Sequence, residues 1–300
     1  NGDIVFNAGV GNISAGRADI HATGDIYGTL EYASKWGLQL SVPGVVNVTG
    51  HDVEIYNGVT NPVLGAVTTT GMFDFSMNPF GRGELTQTAP FNIAGDFNID
   101  SYGSYSVSPQ SVLLNNPSNQ LGGELTMRVG GAEIAVASDL ALGAISLYSG
   151  TDSHGALLLS SAGDVTSSDH FSVRAASSIS AAGDITLASI SGSGNEVSLY
   201  GHNVEVNASF YNIDLDGVTA SGDLIWRGRG ISVDGKVSVA GTSELESTDG
   251  NYLRMNDANN EFVDAITVDE AGTVDLTSRY GFNFDSLPLI RPDTFEQVQG

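Results

Sequence analysis

The chain has no cysteine and only two lysines, Lys35 and Lys236. Without thiols it has neither a disulfide framework nor a thiolate zinc site. Basic side chains number 11 against 35 acidic ones, which sets the formal net charge at −24. Attraction to phosphate backbones rests on Lys and Arg, so nucleic acid is excluded as a partner. Charged residues make up only 15% of the chain, so the acidity reflects scarcity of base rather than abundance of acid. Long apolar runs are also missing. None approaches the roughly 18–20 residues of a membrane span, and a membrane-spanning protein is not expected. Proline is scarce and unevenly placed. Pro43, Pro62, Pro79, Pro90, Pro109 and Pro117 fall in one stretch, and Pro288 and Pro292 near the end.

Hydrophobic residues are 41% of the 300, and the mean hydropathy is close to zero, which is enough apolar surface for a folded core. Asn1 to Phe6 lacks both a basic start and an apolar segment, so it does not read as a secretory signal. The chain opens as though already inside a repeat, and the expectation is a piece of something longer.

The repeat is the dominant feature. Glycine followed by Asp and an apolar residue recurs as Gly2-Asp3-Ile4, Gly24-Asp25-Ile26, Gly95-Asp96-Phe97, Gly163-Asp164-Val165, Gly183-Asp184-Ile185 and Gly222-Asp223-Leu224. Several spacings are one or two units of about 20 residues, with Gly95 out of phase. Between the marks lie short alternating runs, such as Asp184-Ile-Thr-Leu-Ala188, Asn203-Val-Glu-Val-Asn207, Lys236-Val-Ser-Val-Ala240 and Thr273-Val-Asp-Leu-Thr277. Apolar residues two apart share one face of a strand, and Gly, Asn, Asp and Ser punctuate turns. No stretch shows capped helical spacing. Strands of about five residues, two or three to a unit of about 20, predict an all-β parallel β-helix, a solenoid whose coils stack apolar ladders inward. An antiparallel sandwich is the competing architecture, but hairpin signals are few.

The texture divides the chain. Residues 1–27 read as coils. Residues 28–122, with most of the prolines and many aromatics, read as irregular coils with inserted loops or a small extra-helical subdomain. Residues 123–285 are regular coils, and 286–300 read as a linker or tail.

Two segments, Ser180-Ala-Ala-Gly-Asp-Ile-Thr-Leu187 and Asn259 to Leu276 with its Ala-Gly-x-Val-x-Leu ending, resemble the repeats of filamentous-hemagglutinin-type exoproteins. These are bacterial surface adhesins exported by two-partner secretion. The resemblance is best over 123–285. It implies a right-handed β-helix, secreted or held at the bacterial cell surface, serving as an adhesive or biofilm-matrix stalk.

Chemistry-bearing constellations are few. Asp214-Leu-Asp216 offers hard oxygen ligands, which makes Ca2+ the one cofactor considered; the alternative is a solvated acidic face. Neither the Gly-rich calcium nonapeptide nor EF-hand spacing is present. Glu124, Glu133, Asp139, Asp152 and Asp164 are too scattered to suggest a glycosidase pair. His21, His51, His154, His170 and His202 form no zinc motif. Tyr32 and Trp36, with Phe73 and Phe75, are candidate sugar-stacking rings, although spacing by two equally suits inward strand positions. Trp226 beside Arg227 reads as a packing residue with a cation–π neighbour.

These readings converge on a non-enzymatic stalk of an adhesin, binding extracellular polysaccharide or a neighbouring cell by many weak contacts. A self-assembling filament built from further copies is the structural alternative, and a polysaccharide-degrading β-helix the catalytic one.

Overall fold

The alternating runs become parallel strands, with apolar positions such as Ile185, Leu187, Val204, Val206, Val237 and Val239 buried inside the coils. In the computed structural model the described residues are 4–7, 12–13, 17–29, 38–40, 42–57, 59–77, 83–101, 111–147, 155–169, 171–173, 175–188, 190–191, 197–248, 252–269, 271–286 and 295–299. Among them there is no α-helix, and no helix long and apolar enough to cross a membrane. The strands pair in parallel with strands one coil on, which makes the fold a parallel β-solenoid. The chain divides into two units, Asn1–Ser161 and Ala162–Gly300.

In the first unit one column of stacked positions runs Ile4, Ile26, Val53, Phe73, Phe97, Leu125, Leu142. The coils between them take 22, 27, 20, 24, 28 and 17 residues in turn. In the second unit the matching column runs Val165, Ile185, Val204, Leu224, Ser243, Ile266, Phe284, with coils of 20, 19, 20, 19, 23 and 18 residues. Coil length varies more in the first unit than in the second, and parts of 28–122, including 30–37, 78–82 and 102–110, lie outside the described residues. The described residues of that stretch, including Val45–Gly50, Val63–Thr69 and Phe97–Asp100, pair in the same parallel manner as the rest. Gly95 is in register in space: three coils of unequal length separate its level from that of Gly24. Coil length can vary between strands, whereas the strand positions must keep period two.

The core of each coil is a stack of like side chains. In the first unit Phe73, Phe75, Phe91 and Phe97 are all within 1% of full burial. Phe73 and Phe97 stack with centroids 5.3 Å apart, and Phe91 meets Phe97 edge-on at 6.1 Å. In the second, Ile231, Leu253 and Val274 align in register, with Leu215, Val233, Met255 and Leu276 stacked beside them.

Two buried asparagines hold equivalent turns, one in each unit. Asn119 and Asn260 each close an i→i+3 turn, their N–H groups donating to Asn116 O and Asp257 O at 3.1 Å. The Nδ2 of Asn119 donates to Leu114 O and Ala135 O, both at 3.0 Å, and its Oδ1 accepts the Phe91 N–H at 2.8 Å. Asn260 repeats the pattern, with Nδ2 on Met255 O at 2.9 Å and Oδ1 accepting the Val237 N–H at 2.7 Å. Each asparagine so satisfies backbone groups of its own coil and of a neighbouring coil that would otherwise be buried unpaired.

Candidate functional site: a column of corner carboxylates

The Gly-Asp marks are where successive coils are tied together. The residue just before the first inward position of each main strand occupies one corner. In the first unit the corner holds Asp25, Asp52, Met72, Asp96 and Glu124 in successive coils. The Asp52 N–H donates to Asp25 Oδ1 at 3.1 Å, the Met72 N–H to Asp52 Oδ1 at 2.8 Å, and the Glu124 N–H to Asp96 Oδ1 at 3.0 Å. In the second unit it holds Asp164, Asp184, Asn203, Asp223 and Thr242. There the N–H of each donates to the side-chain oxygen of the one before, at 2.8, 3.0, 2.8 and 2.7 Å. A short side chain with an oxygen on Cγ spans the interstrand rise of about 4.8 Å and captures an amide that the strand ladder has not yet claimed.

The preceding glycine is needed for the same reason. A Cβ on Gly71 would overlap the Oδ1 of Asp52, one on Gly183 that of Asp164, and one on Gly222 that of Asn203. The Asp of one coil passes over the glycine of the next, so the Gly-Asp pair works across two levels. Gly281 is a separate case, with φ of +87° and open space around it.

Two coils carry histidine where the others carry glycine. The Nδ1 of His202 lies 3.1 Å from Ser221 Oγ. The Nδ1 of His51 lies 2.9 Å from Asp25 Oδ1 and 3.6 Å from Asp52 Oδ1. Asp25, His51 and Asp52 bring three potential ligand atoms within 4.8 Å of one another, at a half-exposed corner. The Asp25 carboxyl is held below the ordinary range, first by the Asp52 N–H and then by the His51 hydrogen bond. Nothing in the sequence singles this trio out, because Asp25 and His51 are 26 residues apart and follow no motif. Only the register of the coils joins them.

The residues singled out from the sequence fare differently. Tyr32 and Trp36 lie outside the described residues. Phe73 and Phe75 are not a sugar platform: they are 0% and 1% exposed, inward members of the aromatic stack, with no ring face left for a pyranose. Their two-residue spacing belongs to the inner face of a strand. Asp214 is half-buried near the end of the strand Val204–Leu215, and Asp216 is exposed just beyond it. Burial, and then the charge of Asp234, pushes the Asp214 carboxyl up. Asp216 Oδ2 accepts a hydrogen bond from Ser198 Oγ at 3.1 Å. Among the described residues, no third ligand atom gathers with these two at metal-binding spacing.

Trp226 is a packing residue, fully buried, but Arg227 leaves the other face of the strand. There its guanidinium pairs with Glu244, with Glu246 at 3.4 Å and with Glu205 at 3.6 Å. These carboxylates hold its pKa above the ordinary value. One cation thus relieves the repulsion among three acids on the two coils that flank its own.

No curated protein and no solved structure matches the chain. Residues 50–128, 131–196 and 201–269 each match the same family model, described as repeats of unknown function (DUF5649). The three matched stretches take in most of the chain, and they contain the corner positions Asp52, Asp96, Asp164, Asp184, Asn203 and Asp223. Each matched stretch spans several coils, and the chain belongs to this family of repeats of unknown function.

Proposed function

We propose that this chain is a non-enzymatic structural segment of a secreted bacterial surface adhesin, a stalk that contributes many weak contacts to extracellular polysaccharide or to a neighbouring cell. The observation that carries the reading is the corner column. In most of the coils at this corner an Asp or Asn, with a glycine in the next coil, holds the two levels together. The inner faces are spent on packing, and what remains outward is a repeated, mostly acidic and hydroxyl-bearing surface. Such a surface suits repetition of weak binding, where affinity comes from number and spacing. The resemblance of Ser180 to Leu187 and of Asn259 to Leu276 to filamentous-hemagglutinin-type exoproteins supports the same reading, including export to the cell surface.

The test compares single molecules with dense arrays. The 300-residue chain is immobilised on beads at increasing density, and retention of soluble polysaccharides is measured, with release of new reducing ends followed in parallel. The expected result is negligible retention at low density, retention rising steeply with density, and no new reducing ends. Absence of retention at every density refutes the adhesive reading. Release of reducing ends refutes the non-enzymatic one.

A further inference from the structure

We infer that Asp25, His51 and Asp52 form a binding site for a divalent transition-metal ion, with Zn2+ as its representative, which staples two successive coils of the first unit. His51 stands where Gly71, Gly95, Gly123, Gly183, Gly222 and Gly241 stand in other coils, so its imidazole is an addition to the corner. Its Nδ1 faces the carboxylates of two levels at once, 2.9 Å from Asp25 Oδ1 and 3.6 Å from Asp52 Oδ1. Donor atoms bound at about 2.0–2.2 Å to one Zn2+ lie about 3–3.6 Å apart, so both separations from the imidazole nitrogen are close to those around a shared ion. The corner hydrogen bonds do not prevent this. An ionised carboxylate has about four lone-pair sites, and each ladder bond uses one.

The second histidine at a glycine position supplies an internal control. His202 is flanked by Asp184 and Asn203, so only one of its two corner neighbours is a carboxylate. Asp184 Oδ1 is engaged by both the N–H and the Nδ2 of Asn203, each at 3.0 Å, and His202 turns to Ser221 instead. The difference between the two corners is therefore Asp52 against Asn203.

The ligand set selects the ion class. One imidazole nitrogen with two carboxylates suits the later first-row divalent ions, and half-exposure leaves room for water to complete the coordination. Ca2+ prefers six to eight oxygen ligands, and Mg2+ keeps its own water, so both fit poorly. Such an ion joins the Asp25 level to the Asp52 level, which bracket one of the longer coils of the unit.

The experiment is isothermal titration of the chelator-stripped 300-residue chain with ZnCl2, with MgCl2 and CaCl2 as comparisons. The variants preserve the fold by design. His51→Gly restores the residue used in other coils. Asp25→Asn and Asp52→Asn keep the ladder oxygen, as Asn203 does. His202→Gly is the control. The expected result is saturable binding of one Zn2+, weakened in His51→Gly and both Asn variants by at least the about 10–100-fold that loss of a mere outer partner costs, and unchanged in His202→Gly. Absence of saturable Zn2+ binding overturns the inference. So does binding whose affinity is the same in His51→Gly, or equal strength for Mg2+ or Ca2+.

Discussion

The two-level reading of the Gly-Asp pair makes a prediction that single substitutions cannot imitate. Asp164→Ala removes the acceptor of the Asp184 N–H, a bond of 2.8 Å at a partly exposed corner. Water can reach the freed amide, so the loss belongs to the ordinary range for one hydrogen bond to a charged group, about 1.5–3 kcal/mol, at its lower end. Gly183→Ala puts a methyl group where the Asp164 Oδ1 lies, and outside that carboxyl group the nearest atom is the Asp164 backbone nitrogen, 3.2 Å away. The carboxylate must swing aside, which breaks the same bond and adds crowding, about 1–3 kcal/mol in all. In the double variant there is no carboxylate left to collide with, and the bond is lost only once. The two costs should therefore fail to add, with a favourable coupling of about 1 kcal/mol or more. Urea denaturation of the wild type, the two single variants and the double variant measures the cycle, with unchanged m-values as the sign that only stability moved. Asp164→Asn, which keeps the oxygen as Asn203 does one coil above Asp184, should cost much less than Asp164→Ala. Additivity within about 0.5 kcal/mol, or an Asn variant as weak as the Ala variant, would refute the idea that Asp and glycine form one device.

Asn260→Ala leaves the Val237 N–H and Met255 O without their buried partner, and should cost about 3 kcal/mol; a loss under about 1 kcal/mol in the same urea assay would mean the turn holds without it. Phe73→Ala should cost about 3–5 kcal/mol and leave polysaccharide retention per folded molecule unchanged, whereas a sugar-binding ring would lose retention at unchanged stability. The lowered pKa of Asp25 also sets a pH dependence. A carboxyl whose folded pKa is depressed contributes stability that is present above its unfolded value, about 3.9, and lost as the pH falls through the folded value. Asp19, lowered first by its hydrogen bond from Asn47 and then by Arg17, acts in the same direction. The urea midpoint should therefore drop below about pH 4, and Asp25→Asn should flatten that slope; equal slopes in the two proteins would exclude the Asp25 contribution. Arg227→Met should lower stability at low ionic strength and much less at high salt, because its three carboxylate partners are partly exposed and screened.

Much of the fold is legible from local pattern. Period-two runs such as Asn203 to Asn207 and Lys236 to Ala240 state which side chains face inward, and the Gly-Asp marks state where coils turn. Both are short-range properties, set by strand geometry and by the conformations that Gly and Asp allow. The site is less legible, because its contacts join residues one coil apart and coil length varies from 17 to 28 residues in the first unit. Phe73 and Phe75 illustrate the ambiguity: spacing by two says that they share a face, but the solenoid decides that the face is the inner one. Asp25, His51 and Asp52 illustrate the converse, since no spacing rule predicts that a separation of 26 positions brings an imidazole onto a carboxylate.

By itself, then, the sequence determined a parallel β-solenoid, its acidity and its lack of base and thiol, because composition and alternation act residue by residue. The tertiary structure alone decided what the Gly-Asp pair is for. The oxygen of one coil and the glycine of the next meet only when coils stack in register, and register is set by the packing of the apolar ladders inside.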